Sequence, residues 1–123
     1  MRQPEQQQRL FTDLGDDLAA LADDLQKNDQ CARTLVLVFS EFGRRVDRNA
    51  SNGTDHGTVN TVFLLGGAPQ KKGVLNAAPD LDQGDLRHQV DFRAIYAAVL
   101  KDRLGADDAA ILGTGFKRLR GLV

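Results

Sequence analysis

The sequence predicts a small α/β protein, and three features of the 123-residue chain carry this prediction. A continuous apolar run at 35–39 is too short for a buried helix and too uninterrupted for a half-exposed strand. It therefore fits a parallel strand covered on both faces. A second apolar segment follows at 59–65, and helical periodicity in 5–28 and 92–104 supplies the candidate helices.

The composition is that of a globular protein of about one domain. Hydrophobic residues make up 41% of the chain and charged residues 27%, which excludes disordered and collagen-like classes. The net charge of −1 argues against a general nucleic-acid binder, because such proteins carry a basic excess. No apolar run approaches the ~20 residues that cross a bilayer, and the first residues lack the apolar core of a secretory signal. We therefore expect neither a nucleic-acid partner nor a membrane partner.

Two segments have the periodicity of amphipathic helices. In the first, 5–28, an apolar stripe recurs every three or four residues and acidic residues occupy much of the remainder. This pattern is typical of one packed face and one solvated face. The second helix, expected at 92–104, begins after Asp91, a good N-cap, and ends before Gly105, a good C-terminal residue. Asp107 is placed to cap one further turn that ends at Gly113.

The segments between the helices are predicted from their apolar and turn residues. A polar loop is expected at 44–58, a second strand at 59–65, a weak strand at 74–75 and an irregular acidic stretch up to residue 84. Two clear strands and two helices are fewer elements than a sheet buried on both faces contains. We therefore expect residues 1–123 to be a single domain, or a fragment of a larger α/β domain that needs a partner to complete its sheet.

Asp55 and His56 form the first candidate for chemistry. They are adjacent, and Gly53 and Gly57 on either side give the backbone freedom to turn both side chains toward one cation or toward two neighbouring cations. Imidazole and carboxylate ligands together suit zinc, manganese or iron. The alternative is a surface turn held by a local Asx-type hydrogen bond.

The second candidate lies directly after the first strand. Glu41 is expected at the carboxyl edge of the sheet, where it could ligate a metal or act as a base; alternatively, it pairs with an arginine at the strand end. Arg44 and Arg45 could clamp a phosphate or sulfate group bidentately, or they belong to a solvated turn. His88 stands among polar residues, which favours an exposed or capping role over metal ligation.

Four segments of the sequence together resemble the C-terminal part of the DUF1501 family, within the sulfatase-like, alkaline phosphatase superfamily. Their order and spacing cover nearly the whole chain: Ser40-Glu41-Phe42-Gly43-Arg44, Gly53-Thr54-Asp55-His56-Gly57, Phe63-Leu64-Leu65-Gly66-Gly67 and Val90-Asp91-Phe92-Arg93. The resemblance implies a partial three-layer α/β/α sandwich, like the C-terminal part of an alkaline phosphatase-like domain, with a metal site at the carboxyl edge of the sheet.

Members of that superfamily hold one or two divalent cations beside a nucleophile, and they hydrolyse or transfer phosphate or sulfate esters. The resemblance implies that Glu41, Asp55 and His56 are metal ligands, with Asp55 as a ligand or as a partner that orients His56. It also implies that Arg44 and Arg45 contact an anionic ester substrate.

Two departures from the superfamily pattern shape the expected function. Phe42 stands where the superfamily motif has its first histidine, and an upstream Asp-Thr-His and the nucleophile segment are absent from the chain. We therefore expect a C-terminal fragment or truncated relative of a metal-dependent phosphate or sulfate ester hydrolase, inactive alone, with zinc, manganese or iron as cofactor.

The alternative function is a non-catalytic interaction module that completes its sheet with a partner chain. The expected partner is the missing N-terminal part or a second copy. The compartment stays open, because DUF1501 relatives are often exported with an N-terminal signal that this chain does not show.

Overall fold

The computed structural model describes residues 3–81 and 85–123 and divides into two compact units. The first unit comprises Met1–Gly67 and Pro79–Arg87, and the second comprises Ala68–Ala78 and His88–Val123. Both helices and strands are present, so the predicted mixed α/β class is confirmed. No helix in the described ranges is both long and apolar enough to span a membrane.

The first unit begins with a long amphipathic helix, α1, which spans Gln3–Lys27 and confirms the helix expected at 5–28. It ends in a Schellman motif: Asp29 takes a positive φ of 55°, and the amide of Gln30 donates to the carbonyl of Leu25 at 2.8 Å. None of the described residues of α1 is buried. Its apolar stripe has the spacing of a packed face but lies open.

In the described part of the first unit four strands follow, and they form two separate antiparallel pairs. Strands β1 and β4 pair with each other. Strands β2 and β3, which lie between β1 and β4 in the sequence, form a hairpin. Their bounds are Leu35–Val38 for β1, Gly43–Arg48 for β2, Thr54–Gly57 for β3 and Phe63–Gly66 for β4.

The prediction of a parallel strand covered on both faces is wrong. β1 runs antiparallel to β4, with Leu35 opposite Gly66 and Val38 opposite Phe63. All four residues of β1 are only half-buried, and the Phe63 side chain is 54% exposed. The connection explains the direction, because parallel strands need a long crossover, usually a helix. Residues 39–62 are all described, and they contain a hairpin and no helix.

The prediction of a loop at 44–58 is also wrong, because most of this segment forms the β2–β3 hairpin. Val46 is the only aliphatic residue in β2, so the segment lacks the alternating apolar pattern that indicates a strand. Turn residues set the hairpin instead. Asn52 has a positive φ of 57° and precedes Gly53, and an Asn-Gly pair is a strong signal for a hairpin turn.

Two further boundaries differ from the predictions. The second apolar strand is shorter than the expected 59–65, because residues 59–62 are irregular and β4 starts at Phe63. The weak strand expected at 74–75 does not form, and Val74 is 86% exposed. The predicted acidic stretch is irregular over 76–81, and its last part, 82–84, lies outside the described residues.

In the second unit, the predicted caps define the helices. Helix α2, Phe92–Ala98, starts after Asp91 and continues as a π-helical turn, Val99–Arg103, so the helix expected at 92–104 is confirmed with a change in its last turn. Helix α3, Asp108–Leu112, starts after Asp107, which accepts hydrogen bonds from two backbone amides. Among the described residues, the buried hydrophobic side chains are Ala97, Ala98 and Leu122.

We predict that Gly15→Ala stabilises the protein. Gly15 lies inside α1, and a Cβ there would meet no atom within 4 Å, so alanine gains helix propensity without a clash. The expected gain in the free energy of unfolding is about 0.5–1 kcal/mol, measured by urea denaturation followed by circular dichroism. Gly43→Ala is the opposing control, because its Cβ would overlap the carbonyl oxygen of Val59. A loss of stability in Gly15→Ala would show that α1 does not tolerate a methyl group at that position.

A pH-dependent contact is predicted at the start of α2. Hydrogen bonds from the side chain and backbone of Arg93, the shortest from Nη2 at 2.6 Å, lower the pKa of Asp91 from 3.8 to about 2. Because the pKa is lowered in the folded protein, the contact stabilises the fold above about pH 3.8 and is lost as the pH falls through about 2. The amide shift of Arg93 in NMR spectra should report this titration. Asp91→Asn keeps a capping oxygen but should abolish it, and a parent midpoint near 3.8 would contradict the assignment.

Candidate functional site

The β2–β3 hairpin brings together candidate residues that are distant in the sequence. Arg44 lies directly opposite His56 in the strand register, and Gly43 lies opposite Gly57. Glu41 is exposed in the turn just before β2. The two candidate groups from the sequence therefore share one short antiparallel ladder.

The facing glycines allow the backbone to pack closely at this end of the hairpin. A Cβ on Gly43 would overlap the carbonyl oxygen of Val59, and a Cβ on Gly57 would stand 2.8 Å from the carbonyl carbon of Arg44. Ordinary side chains do not fit at these distances. The glycines thus serve close approach between chain segments as well as backbone freedom.

One face of the hairpin carries a stacked imidazole. The His56 ring lies parallel to the Phe42 ring, with 3.7 Å between centroids and 20° between planes. The Arg44 guanidinium lies 5.6 Å from the centroid of the same phenyl ring, and its Nη1 donates to the carbonyl oxygen of Thr54 at 2.9 Å. Neither nitrogen of His56 has a hydrogen-bond partner among the described residues. The imidazole is therefore held by its ring face while both nitrogens stay available.

Asp55 is held by the hairpin loop. The side-chain amide of Asn49 donates to a carboxylate oxygen of Asp55 at 2.8 Å. The other end of the same side chain, Oδ1, accepts the backbone amides of Ser51 and Gly53, each at 3.0 Å. The Asn49 backbone amide also donates to the Gly53 carbonyl at 2.8 Å. One side chain therefore closes the loop and fixes the orientation of a candidate ligand.

The Arg45 guanidinium forms an ion pair with Asp85, at 2.7 Å between Nε and Oδ1. The hydrogen bond and the charge of Asp85 raise the pKa of Arg45 above its ordinary value. Within residues 3–81 and 85–123, Glu41 takes part in no ion pair. The carboxylate that pairs with Arg45 is thus Asp85, and no sequence pattern favoured Asp85 over Glu41.

Asp55 and His56 are neighbours on a strand, so their side chains leave opposite faces of the hairpin. His56 pairs with Arg44 in the strand register, and the charge of Asp55 contributes to raising the pKa of Arg45. In the part of the chain that is described, no group of three histidine, cysteine or carboxylate residues is arranged to hold a metal ion. The hairpin offers single ligands on two faces.

Asn60 and Asn49 are two site residues that were not predicted from the sequence. The Asn60 side chain donates to the backbone carbonyl of Ser40 and lies 3.3 Å from its hydroxyl oxygen. That hydroxyl donates to the Phe42 carbonyl at 2.9 Å, so the turn carrying Glu41 is tied at both ends. The position of Asn49 before a Ser-Asn-Gly turn was a usable signal for an Asx-type cap. The contact of Asn60 spans 20 residues and has no local signature.

The fold and the hairpin define a mixed α/β protein with imidazole, carboxylate and guanidinium groups on one β-hairpin. The chain belongs to the DUF1501 family, described as proteins of unknown function, whose sequence profile matches residues 1–123. No curated protein and no solved structure gave a significant match. Family membership thus confirms the predicted resemblance to DUF1501.

We predict that Asn49→Ala opens the hairpin loop. The variant loses two acceptor contacts and the amide that holds Asp55, so the free energy of unfolding should fall by about 1–2 kcal/mol. Urea denaturation measures the loss, and hydrogen exchange at the Ser51 and Gly53 amides locates it. Ser51→Ala is the matched control, since a surface substitution there should stay within about 0.5 kcal/mol of the parent. Equal stability of the two variants would mean that Asn49 does not hold the loop.

Proposed function

We propose that this chain carries part of the metal and anion site of a phosphate or sulfate ester hydrolase, and that it is inactive alone. The observation that supports this function best is the register of the β2–β3 hairpin. It sets Arg44 opposite His56, and Glu41 lies in the turn two residues before β2. This arrangement supports the proposal, because candidate metal ligands and a candidate anion contact lie on or beside the same hairpin.

His56 and Asp55 provide suitable donor atoms for a divalent metal, but they do not form a complete ligand set. His56 has both ring nitrogens available, and Asp55 is oriented by Asn49. Imidazole and carboxylate suit zinc, manganese or iron, which would polarise the ester oxygen and activate a nucleophile. Because the side chains of Asp55 and His56 leave opposite faces of the hairpin, each would provide a ligand on a different face. We propose that Glu41 and residues from another segment or chain complete the ligand set.

The arginines fit the anion-binding part of the proposal. The Arg44 guanidinium has five N–H groups and uses one of its nitrogens on Thr54, so donors remain for phosphate or sulfate oxygens on the face it shares with His56. Arg45 is engaged with Asp85. We therefore assign the principal oxyanion contact to Arg44.

We propose that the isolated chain is inactive because the serine next to Glu41 is not activated as a nucleophile. Ser40 has the hydroxyl nearest to Glu41 in sequence, and that hydroxyl donates to the Phe42 carbonyl. A serine needs an adjacent base or a metal to attack an ester. In the full hydrolase-like fold we propose that the two antiparallel pairs add to a larger sheet in a three-layer α/β/α sandwich, and that the nucleophile comes from elsewhere in that fold.

A second candidate function is the interaction module, and one observation favours it. Within residues 3–81 and 85–123 each sheet has two strands, β1 with β4 and β2 with β3, and isolated two-stranded sheets are marginally stable. Phe39 and Phe63 are both more than half exposed beside the first pair. Strand addition by a partner would cover these groups, and it would need no metal.

We predict that the 123-residue chain binds Zn²⁺ through His56. In competition with a chromophoric chelator, His56→Ala should weaken Zn²⁺ binding by about tenfold or more, since losing even an indirect contact to a metal costs that much. His88→Ala is the matched control, because His88 is also exposed but lies in the second unit. Mass spectrometry of the purified proteins reports the metal that is retained.

Two outcomes would contradict the proposal. Equal affinity in the parent, His56→Ala and His88→Ala would remove His56 from any metal site and favour the interaction module. Hydrolysis of an aryl phosphate or aryl sulfate by the isolated chain, lost in His56→Ala, would show that the site is complete and overturn the claim of inactivity.

A further inference from the structure

The loop between β2 and β3 contains a chemically labile side chain. Of the five asparagines in the chain, Asn52 alone is followed by glycine. An asparagine side chain deamidates when the backbone nitrogen of the next residue attacks its carbonyl carbon, and glycine hinders that attack least because it has no side chain. Asn52 is exposed, so solvent reaches it. Its sequence and its position both favour this reaction.

In the closed loop, however, the attacking nitrogen is already engaged. The amide of Gly53 donates to Oδ1 of Asn49 at 3.0 Å, and the carbonyl of Gly53 accepts the amide of Asn49 at 2.8 Å. Cyclisation requires the Gly53 nitrogen to lose the proton that this hydrogen bond holds and to approach the Asn52 side chain, so both bonds oppose it. The backbone amide of Asn52 is held as well, because it donates to the Asn49 carbonyl at 3.1 Å.

The first side chain of α1 also packs against Gly53. A Cβ on Gly53 would stand 2.1 Å from Oε1 of Gln3 and 3.2 Å from its Cδ. The same glutamine oxygen accepts the backbone amide of Thr54 at 2.6 Å. Gly53 is accordingly half-buried, although its neighbour Asn52 is exposed. The backbone at Gly53 is therefore fixed from two directions, and it moves toward Asn52 only when the loop opens.

We propose that Asn52 is a latent deamidation site, which Asn49 keeps intact by binding the amide of Gly53. In the reaction, the Gly53 nitrogen forms a bond with Cγ of Asn52, and its proton passes through solvent to the departing amino group, which leaves as ammonia. Water then adds to either carbonyl of the cyclic imide and leaves an aspartyl or isoaspartyl residue at position 52. The first step starts from the open loop alone. This inference does not depend on the proposed function.

The reaction would open the loop irreversibly. Both products add a negative charge to a loop that already holds the Asp55 carboxylate through Asn49. The isoaspartyl product also inserts one more carbon into the backbone before Gly53. The short hydrogen bonds between Asn49 and Gly53 close the loop over this same stretch of backbone, so the longer chain cannot keep them. Asp55 then loses the side chain that orients it.

Ageing the 123-residue chain in a mildly alkaline buffer tests the proposal. Peptide mapping by mass spectrometry, with fragmentation that separates aspartyl from isoaspartyl products, gives the rate of deamidation at Asn52. The chain unfolded in guanidinium chloride gives the unprotected rate, and the folded parent should react at least about tenfold more slowly. Asn49→Ala should speed the reaction in the folded chain about five- to thirty-fold, because the loss of both acceptor contacts raises the population of the open loop.

Two further variants separate Asn49 from a general loss of stability. Leu35→Ala removes a half-buried side chain from β1, outside the loop, and should leave the rate at Asn52 close to that of the parent. Asn49→Asp keeps an oxygen for the same two amides and should react more slowly than Asn49→Ala. Circular dichroism confirms that each variant is folded.

Four results would overturn the proposal. The folded and unfolded parent chains could deamidate at the same rate, or Asn49→Ala could react no faster than the parent. Leu35→Ala could speed the reaction at Asn52 as much as Asn49→Ala does, which would assign the protection to the fold as a whole. Equal rates in Asn49→Asp and Asn49→Ala would show that the acceptor oxygen at this position does not protect Asn52.

Discussion

The candidate site depends on the hydrogen bonds that Asn49 makes in the loop between β2 and β3. The Asn49 side chain accepts two backbone amides of the loop and donates to Asp55, and its backbone amide binds the Gly53 carbonyl. A net contribution of about 1 kcal/mol for each bond is enough to favour one loop conformation strongly. That conformation sets the pairing of Arg48 with Thr54 next to the loop, and an irregularity between Arg44 and Arg48 then shifts the register so that Arg44 faces His56. The position of His56 opposite Arg44 therefore depends on both the loop closure and this irregularity.

The helices could be predicted from the local sequence, whereas the pairing of the strands could not. The ends of α2 and α3 depend on Asp91 and Asp107, whose carboxylates accept amides only two or three residues away. The pairing of β1 with β4 depends on what the intervening chain does. Its apolar run is equally compatible with a parallel or an antiparallel neighbour. The hairpin at 43–57 was hidden for a related reason: its strands are polar, so its signal lay in the Asn52-Gly53 turn and not in any hydrophobic pattern.

In the candidate site, too, some features could be predicted from the sequence and others could not. Adjacency in sequence suggested that Asp55 and His56 act together, but a strand sends neighbouring side chains to opposite faces. The stacking of His56 on Phe42 requires the register of the hairpin, which no spacing along the chain encodes. The ion pair of Arg45 with Asp85 joins residues 40 positions apart and is equally invisible in the sequence. What could be predicted was the choice of chemically capable residues; their partners required the three-dimensional structure.

The first side chain of α1 links that helix to the candidate site. The Gln3 side-chain amide donates to the hydroxyl of Thr54 at 3.1 Å, and its oxygen accepts the backbone amide of Thr54 at 2.6 Å. Thr54 directly precedes Asp55 in β3. At 1.5 Å per residue, α1 is about 37 Å long. Its first residue contacts β3, and its last turn leads into β1 through Cys31, whose carbonyl accepts the amide of Gly67. Helix α1 thus acts as a strut between the two antiparallel pairs: its length sets the distance between the strand that carries Asp55 and His56 and the start of β1.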